Sequence, residues 1–310
     1  MSRAQSNGGG TSTGAPPLLC TGDLRASSSM SGPLNNAAGR LAYRQNPRNC
    51  CLPDFSRTLH RVICWVCGNP VAEFLAFGIP PRPGRCPHCG AKPRNRAVHW
   101  YLRRVIRPRL DAISEVLEVG GSRVAVQRFS ADAVIGGSRY TVIDRRTLEF
   151  HAGIEAPHRF IRMDVTNADF ADNSFDVILC NHTLPYIRDD AGALSEIFRI
   201  LKIDGLAMLD SSHDEDRTRP VDEYRREHPE LGDEYFAENG DQWVYGKDYV
   251  SRLEAAGFTT RIDVLFDDCD RAFRREHGLK DHHELIVAFK SPGGEERFSL
   301  LRSPAEGVLK

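Results

Sequence analysis

The sequence predicts an α/β protein: a parallel sheet covered by helices, with a small cysteine-rich unit ahead of it. Three observations point there. Between Ser174 and Ser211 a buried strand (Phe175-Asp176-Val177-Ile178-Leu179), an amphipathic helix and a second buried strand (Leu206-Ala207-Met208-Leu209) follow one another. Such a βαβ unit makes a parallel sheet. Upstream, short apolar strands alternate with helical stretches, and each strand ends in an acid or a glycine turn. Ahead of them, Cys64-Trp65-Val66-Cys67-Gly68 and Cys86-Pro87-His88-Cys89-Gly90 repeat one pattern, separated by 18 residues.

The bulk numbers agree. A chain of 310 residues makes one large or two modest domains. Hydrophobic residues at 41% and charged residues at 27% are ordinary for a globular protein. A net charge of -1 gives no global field toward nucleic acid or membrane. No apolar run approaches the roughly 20 residues that a membrane helix needs. The N-terminus lacks the apolar core of a secretory signal, and the nine cysteines are not spaced as a disulfide framework. We expect a reducing, cytoplasmic setting.

Four segments are expected. Residues 1–58 read as a disordered, low-complexity tail, poor in large apolar residues. Its Arg-rich, acid-poor composition is also that of a transit peptide, but no amphipathic helix is visible. A cysteine-rich unit covers 59–93, a strand–helix domain covers 94–292, and 293–310 is expected to be a flexible tail.

Within the domain, Pro93 to Pro108 reads as a basic helix (Arg94, Arg96, Arg103, Arg104, Arg107), with Pro108 stopping or kinking it. Strands are expected at Val116–Val119, Tyr140–Asp144, Arg159–Asp164 and Asp176–Cys180. Asp189 and Asp190 open a helix whose Leu194, Ile197, Phe198 and Leu201 share one face. Leu201 to Gly205 reads as a turn, and Leu206–Leu209 as the fifth strand. Lys247–Ala256 is helical and ends at Gly257. Arg261–Phe266 and Glu284–Phe289 are the final strands.

The cysteine quartet fits one structural zinc ion. Two Cys-x-x-Cys pairs supply four thiolates for a tetrahedral site, and the glycine after each pair lets backbone amides turn toward sulfur. A closed four-thiolate site leaves no open position for catalysis, so Cys64, Cys67, Cys86 and Cys89 are assigned an architectural Zn2+. His88 is read as a surface residue.

Open parallel sheets bind ligands beyond the carboxyl ends of their strands. There the sequence places Glu118-Val119-Gly120-Gly121, Asp144, Asp164-Val165 and Asn181-His182. A carboxylate ending the second strand suits two ribose hydroxyls, and an acid or amide nearby suits an adenine amino group. In order and spacing these residues resemble a class I S-adenosylmethionine-dependent methyltransferase of the type 11 group. Phe175 to Leu184 looks like that group's fourth-strand motif, and Leu201-Lys202-Ile203-Asp204-Gly205 stands where the group has Leu-Lys-Pro-Gly-Gly. A branch with a four-cysteine zinc ribbon is similar still further. It shares a Phe-Gly-x-Pro-Pro-Arg-Pro run (Phe77 to Pro83), a Tyr-Gly-Lys-Asp-Tyr segment (Tyr245 to Tyr249) and a helix ending Ala256-Gly257-Phe258.

The resemblance implies a Rossmann-like sheet of seven strands, the last antiparallel, behind a zinc ribbon. It implies S-adenosyl-L-methionine as cofactor, with Glu118, Gly120, Gly121, Asp144, Asp164, Val165 and Asn181 binding it. It implies methyl transfer to an oxygen or nitrogen of a small molecule or glycan. His182 is the candidate base, and Tyr245, Asp248 and Tyr249 are candidates for the acceptor side. His182-Thr183-Leu184-Pro185-Tyr186 departs from the group's His-x-Leu-Glu-His. Acids between Asp214 and Asp241 would disfavour a polyanionic acceptor if they formed the rim. Two other readings stand beside this one: an RNA methyltransferase that uses the ribbon and basic helix, and a non-catalytic scaffold.

Overall fold

The computed structural model describes residues 62–78, 81–131, 139–146, 159–231 and 240–299, all within one compact unit. The expected N-terminal tail lies outside them, as do Cys20, Cys50, Cys51, Asp233 and Glu234.

The chain begins with two short hairpins. Strands β1 (Val62–Ile63) and β2 (Pro70–Val71) pair antiparallel, as do β3 (Leu75–Phe77) and β4 (Arg82–Arg85). Helix α1 (Pro93–Tyr101) follows, with Pro93 at its first position, where a missing N–H is harmless. It continues as one wide turn over Leu102–Ile106 and a tight turn over Arg107–Arg109, so Pro108 distorts the helix as expected.

Then come β5 (Val116–Val119), α2 (Arg123–Ala131), β6 (Tyr140–Asp144), β7 (Arg159–Arg162), β8 (Phe175–Leu179), α3 (Asp190–Ile200) and β9 (Leu201–Met208). A small hairpin, β10 (Arg219–Pro220) with β11 (Trp243–Val244), brackets helix α4 (Val221–Glu227). Helix α5 (Tyr249–Ala255), strand β12 (Thr259–Leu265), helix α6 (Arg271–Glu276), strand β13 (His283–Phe289) and helix α7 (Pro292–Arg297) complete the order.

The main sheet has seven strands in the order β12-β13-β9-β8-β5-β6-β7. Strands β5 to β9 pair parallel, and β13 runs antiparallel to both of its neighbours, as the resemblance implied. The chain reverses its direction of build between β5 and β8, and such a switch point leaves a crevice beyond the strand ends. Leu117, Ile143, Ile178, Ala207 and Ile286 join Leu194 and Ile197 of α3 and Leu253 of α5 in one apolar cluster. Strands buried on both faces explain why β5, β6 and β8 are mostly apolar and do not alternate with polar residues.

Two expectations are corrected. Leu201 to Gly205 is not a turn ahead of the fifth strand. Phe175 faces Leu201 and Val177 faces Leu206, so Lys202 to Gly205 form an irregular, partly exposed stretch within β9. The buried Asp176 pins it, accepting from Lys202 Nζ at 2.7 Å, from the Glu115 amide at 2.9 Å and from Arg297 at 3.1 Å. The tail expected from residue 293 is also not one as far as residue 299. Residues 292–297 are helical and Phe298 is completely buried, because its ring adds apolar area that a flexible tail would leave in water. Residues 300–310 lie outside the described residues.

Candidate functional site

The four cysteines converge. Their sulfur atoms all lie within 4.8 Å of one another, with Cys64 Sγ to Cys89 Sγ and Cys67 Sγ to Cys86 Sγ both 3.9 Å. A tetrahedron of roughly 2.3 Å Zn–S bonds has sulfur–sulfur edges of about 3.8 Å, so the cage has the size of a zinc site. The two knuckles match. The Gly68 amide donates to the Cys64 carbonyl and the Gly90 amide to the Cys86 carbonyl, with both glycines at positive φ (73° and 74°). His88 is exposed, with its Nε2 beside the Pro70 carbonyl, and stands outside the cage.

The ribbon is docked by buried contacts. Arg96, 1% exposed, donates to the Ala91 carbonyl at 2.9 Å and to the carbonyls of Gly84 and Gly278, and its guanidinium lies over the Phe74 ring. Trp65 packs on Phe266 and His277, and Trp100 meets Phe266 from another side. The Tyr101 hydroxyl donates to Asp263 at 2.6 Å. These aromatics are packing, and Arg96 is an internal clamp rather than a free surface cation.

The sequence-derived strand-end residues meet along one edge of the sheet. Glu118 is 3% exposed, and only the Tyr140 hydroxyl donates to its carboxylate, at 3.1 Å, so burial pushes its carboxyl up to about 8. Gly120 sits at φ 63°, and a Cβ there would come within 2.5 Å of the Thr183 side chain. A Cβ at Gly121 would come equally close to Glu118 Cγ. Both glycines are therefore already required by local packing, before any ligand arrives.

Asp144, 7% exposed, is held by its own neighbour. The Arg146 side chain donates to both carboxylate oxygens, at 2.6 Å and 3.0 Å, and the Arg146 amide donates to Oδ1 at 2.8 Å. A ribose reaching Asp144 would share it with, or displace, this guanidinium. Asp164 caps the turn Val165–Asn167, accepting from the Thr166 amide at 3.0 Å, and Arg145 lies 3.5 Å from its other oxygen. Val165 is buried. Arg145, Arg146, Met163 and Asp164 line an open cleft of 530 Å³.

Asn181 carries the observation that fits a ligand best: its Oδ1 is buried and has no hydrogen-bond partner. A buried acceptor without a donor costs about 1–3 kcal/mol, and an incoming N–H would relieve it. His182, at the next position, has φ 52°, in the left-handed region that few residues other than glycine adopt, His being among the better tolerated. The Asp210 carbonyl accepts its amide N–H at 2.7 Å, and its Nε2 lies 3.4 Å from the Asp210 carboxylate. Pro185 and Tyr186 replace the acid and histidine of the resembling motif. The Pro185 carbonyl accepts from Gln242, and Tyr186 is 46% exposed.

The three expected acceptor-side residues each have a partner within the protein. Tyr245 is buried and donates to Asp190, which also pairs with Arg252. Tyr249 is buried and donates to the Leu209 carbonyl. Asp248 accepts from the Thr218 amide and hydroxyl. Both tyrosines are thus committed to the interior, whereas Asp248 is exposed and engages Thr218 through Oδ1 alone.

Around His182 the structure gathers residues that the sequence did not assign to a site. With it, Asp210, Ser211, His213, His283 and Arg94 of the basic helix line a second pocket. Asp210 had a readable signal, an acid closing a parallel strand like Asp144. His283 had none until β13 was known to run backwards, which brings its first residue to the edge where the other strands end.

Residues 117–209 match the family described as "Methyltransferase domain". This segment is a methyltransferase domain. Over 99 residues, 31% of this chain, the sequence is 25% identical to cycloartenol-C-24-methyltransferase 1 of Oryza sativa subsp. japonica. Over a stretch of the same length it is 27% identical to cycloartenol-C-24-methyltransferase of Arabidopsis thaliana. The chain spans only 29% and 30% of those proteins. Among solved structures, it is similar to the 1,6-didemethyltoxoflavin-N1-methyltransferase of Burkholderia thailandensis, at TM-score 0.40 and 21% identity, covering 64% of this chain and 77% of that one. It is likewise similar to the arsenic(III) S-adenosylmethionine methyltransferase of Chlamydomonas reinhardtii, at TM-score 0.38 and 21% identity, covering 58% and 64%. The methyltransferase domain so matched contains Glu118, Gly120, Asp144, Asp164, Asn181 and His182, but neither the ribbon nor β12 and β13. No helix among the described residues is long and apolar enough to cross a membrane.

Proposed function

We propose that this protein transfers the methyl group of S-adenosyl-L-methionine to an oxygen or nitrogen of a small molecule or glycan. The observation that carries the reading is the row of Glu118, Asp144, Asp164 and Asn181 on successive strand ends, with the Asn181 acceptor left without a donor. The cofactor brings a methyl group already activated on a sulfonium, so the protein's share is binding, alignment and, where the acceptor must lose one, taking a proton. Asp144 is assigned to the ribose hydroxyls, Asp164 and Asn181 to nitrogen donors, and Glu118 to the cofactor's cationic end.

His182 is assigned the proton. Asp210 on its Nε2 side leaves Nδ1 to face an acceptor, the arrangement in which a carboxylate orients an imidazole base. The four cysteines are assigned a structural zinc ion. The RNA reading has less support, because Arg96 of the basic helix is inside the protein. The curated plant relatives share only the domain, so their acceptor is not carried over.

Calorimetry with S-adenosylhomocysteine tests the reading. Binding is expected in the wild type and should weaken by at least about 30-fold in Asp144→Ala, which removes a buried charged hydrogen-bond acceptor. His182→Gln should leave that affinity unchanged and lower turnover of any acceptor found in a labelled-methyl screen by roughly 100-fold or more. No binding heat in the wild type would favour the scaffold reading.

A further inference from the structure

The pocket beside His182 is built from three parts of the chain: Arg94 of α1, the residues after β9 (Asp210, Ser211, His213), and the segment entering β13 (Lys280, His283). Arg94, Lys280 and His283 fall outside residues 117–209, so the domain match assigns them nothing.

Its charges are unevenly matched. His182 faces Asp210 at 3.4 Å, His213 faces Glu284 at 3.5 Å, and His282 lies between Asp267 and Glu284 at 2.9 Å and 3.1 Å. Arg94 and Lys280 have no hydrogen bond or ion pair within the described residues, although both are half-buried. Burial holds the Arg94 guanidinium below its ordinary range, against the pull of Tyr186 and Asp210 nearby. A partly desolvated cation with no directly bonded counter-charge is costly to keep, and a bound anion would remove that cost.

Two deeply buried polar atoms line the same pocket without partners. They are His283 Nε2 and Ser211 Oγ, on residues 3% and 4% exposed. Burial pushes the His283 imidazole down to about 4, so it stands neutral at pH 7 and its ring N–H is available as a donor. A guanidinium fork, an ammonium, a hydroxyl and an imidazole together form a donor set for a planar or tetrahedral oxyanion.

The acids that argued against an anionic acceptor are largely neutralised where they stand. Glu215 pairs with Arg219, Asp216 with Lys247, and Glu223 and Glu227 with Arg217. Two further carboxylates line the pocket, the exposed Asp214, and Glu284, which faces His213 and His282.

We propose that Arg94 and Lys280, with Ser211 and His283, form an oxyanion subsite that holds a carboxylate or phosphate of the methyl acceptor next to His182. The inference deepens the methyltransferase reading by naming the acceptor class: a molecule bearing both the group to be methylated and an anionic substituent one pocket away.

Titration calorimetry at constant ionic strength tests it, with sodium phosphate and sodium acetate as separate probes and S-adenosylhomocysteine as a third. One of the two anions is expected to bind the wild type saturably, and which one does identifies the substituent. Its affinity should fall at least about tenfold in Arg94→Met and in Lys280→Met, with partial retention in Arg94→Lys. Circular dichroism checks that each variant is folded. Equal anion affinity in wild type and folded variants would overturn the subsite, as would absence of any saturable anion binding by a wild type that binds S-adenosylhomocysteine. Arg94-dependent anion binding without S-adenosylhomocysteine binding would support the subsite and sink the methyltransferase reading instead.

Discussion

Stripping the metal from the four-cysteine cage, by a strong chelator or by Cys86→Ser, is expected to lower the melting temperature by about 10 °C. The ribbon's own interior has little else to hold it. Its buried cluster is Cys64, Val66, Val71, Phe74, Cys86 and Ala91, and two of those six belong to the proposed metal cage. An apolar core of that size cannot offset the ordering entropy of about 30 residues. The loss should spread, because Arg96 clamps Ala91 and Gly84 of the ribbon to Gly278 of the segment leading into β13. Trp65 would leave Phe266 at the same time, so tryptophan fluorescence should report the change. Binding of S-adenosylhomocysteine should survive, since Asp144 and Asn181 stand on other strands, whereas anion binding at Arg94 should be lost. Metal analysis giving no zinc, or calorimetric melting unmoved by chelation, would sink the assignment.

Replacing Glu118 by Gln is expected to stabilise the cofactor-free protein at pH 8 and to weaken cofactor binding. The carboxyl is buried and pushed up to about 8 from an ordinary 4.5. Between those values the folded state holds a proton that the unfolded state has released. The wild type therefore loses stability as pH rises through this window, by about 1.4 kcal/mol per pH unit where the difference is a full proton. Glutamine has no charge to bury, so its advantage should be absent near pH 5 and reach a few kcal/mol near pH 8. Urea unfolding of both proteins at the two pH values measures this. A wild type whose stability rises from pH 5 to pH 8 relative to the variant would refute it. If the carboxylate serves the cofactor's cationic end, S-adenosylhomocysteine should bind Glu118→Gln at least about tenfold more weakly. Gain of stability with loss of binding would mark Glu118 as a group kept for function at a cost to the fold.

The elements that sequence reading placed well are those with a repeating physical signal. Strands β5, β6 and β8 are covered on both faces, so they are mostly apolar, broken by Glu118, Thr141, Asp144 and Asp176, and α3 shows its buried stripe at Leu194 and Ile197. The cage was legible because tetrahedral coordination constrains spacing. The tail from 293 was misplaced because one buried Phe298 gives no periodicity. Leu201 to Gly205 was misread because a glycine after polar residues marks an irregular strand as well as a turn.

The sequence by itself determined the cysteine cage, the parallel βαβ core and the row of strand-end residues from Glu118 to Asn181. Each is a local pattern, set by neighbours within a few positions. Only the tertiary structure decided what those residues meet. Arg146 closes on Asp144, Tyr245 and Tyr249 turn into the core, and Arg94, Asp210, Lys280 and His283 come to one pocket from three distant segments. Chain reversal at β13 produces that convergence, and a strand's direction in the sheet is settled by its pairing, which composition does not encode.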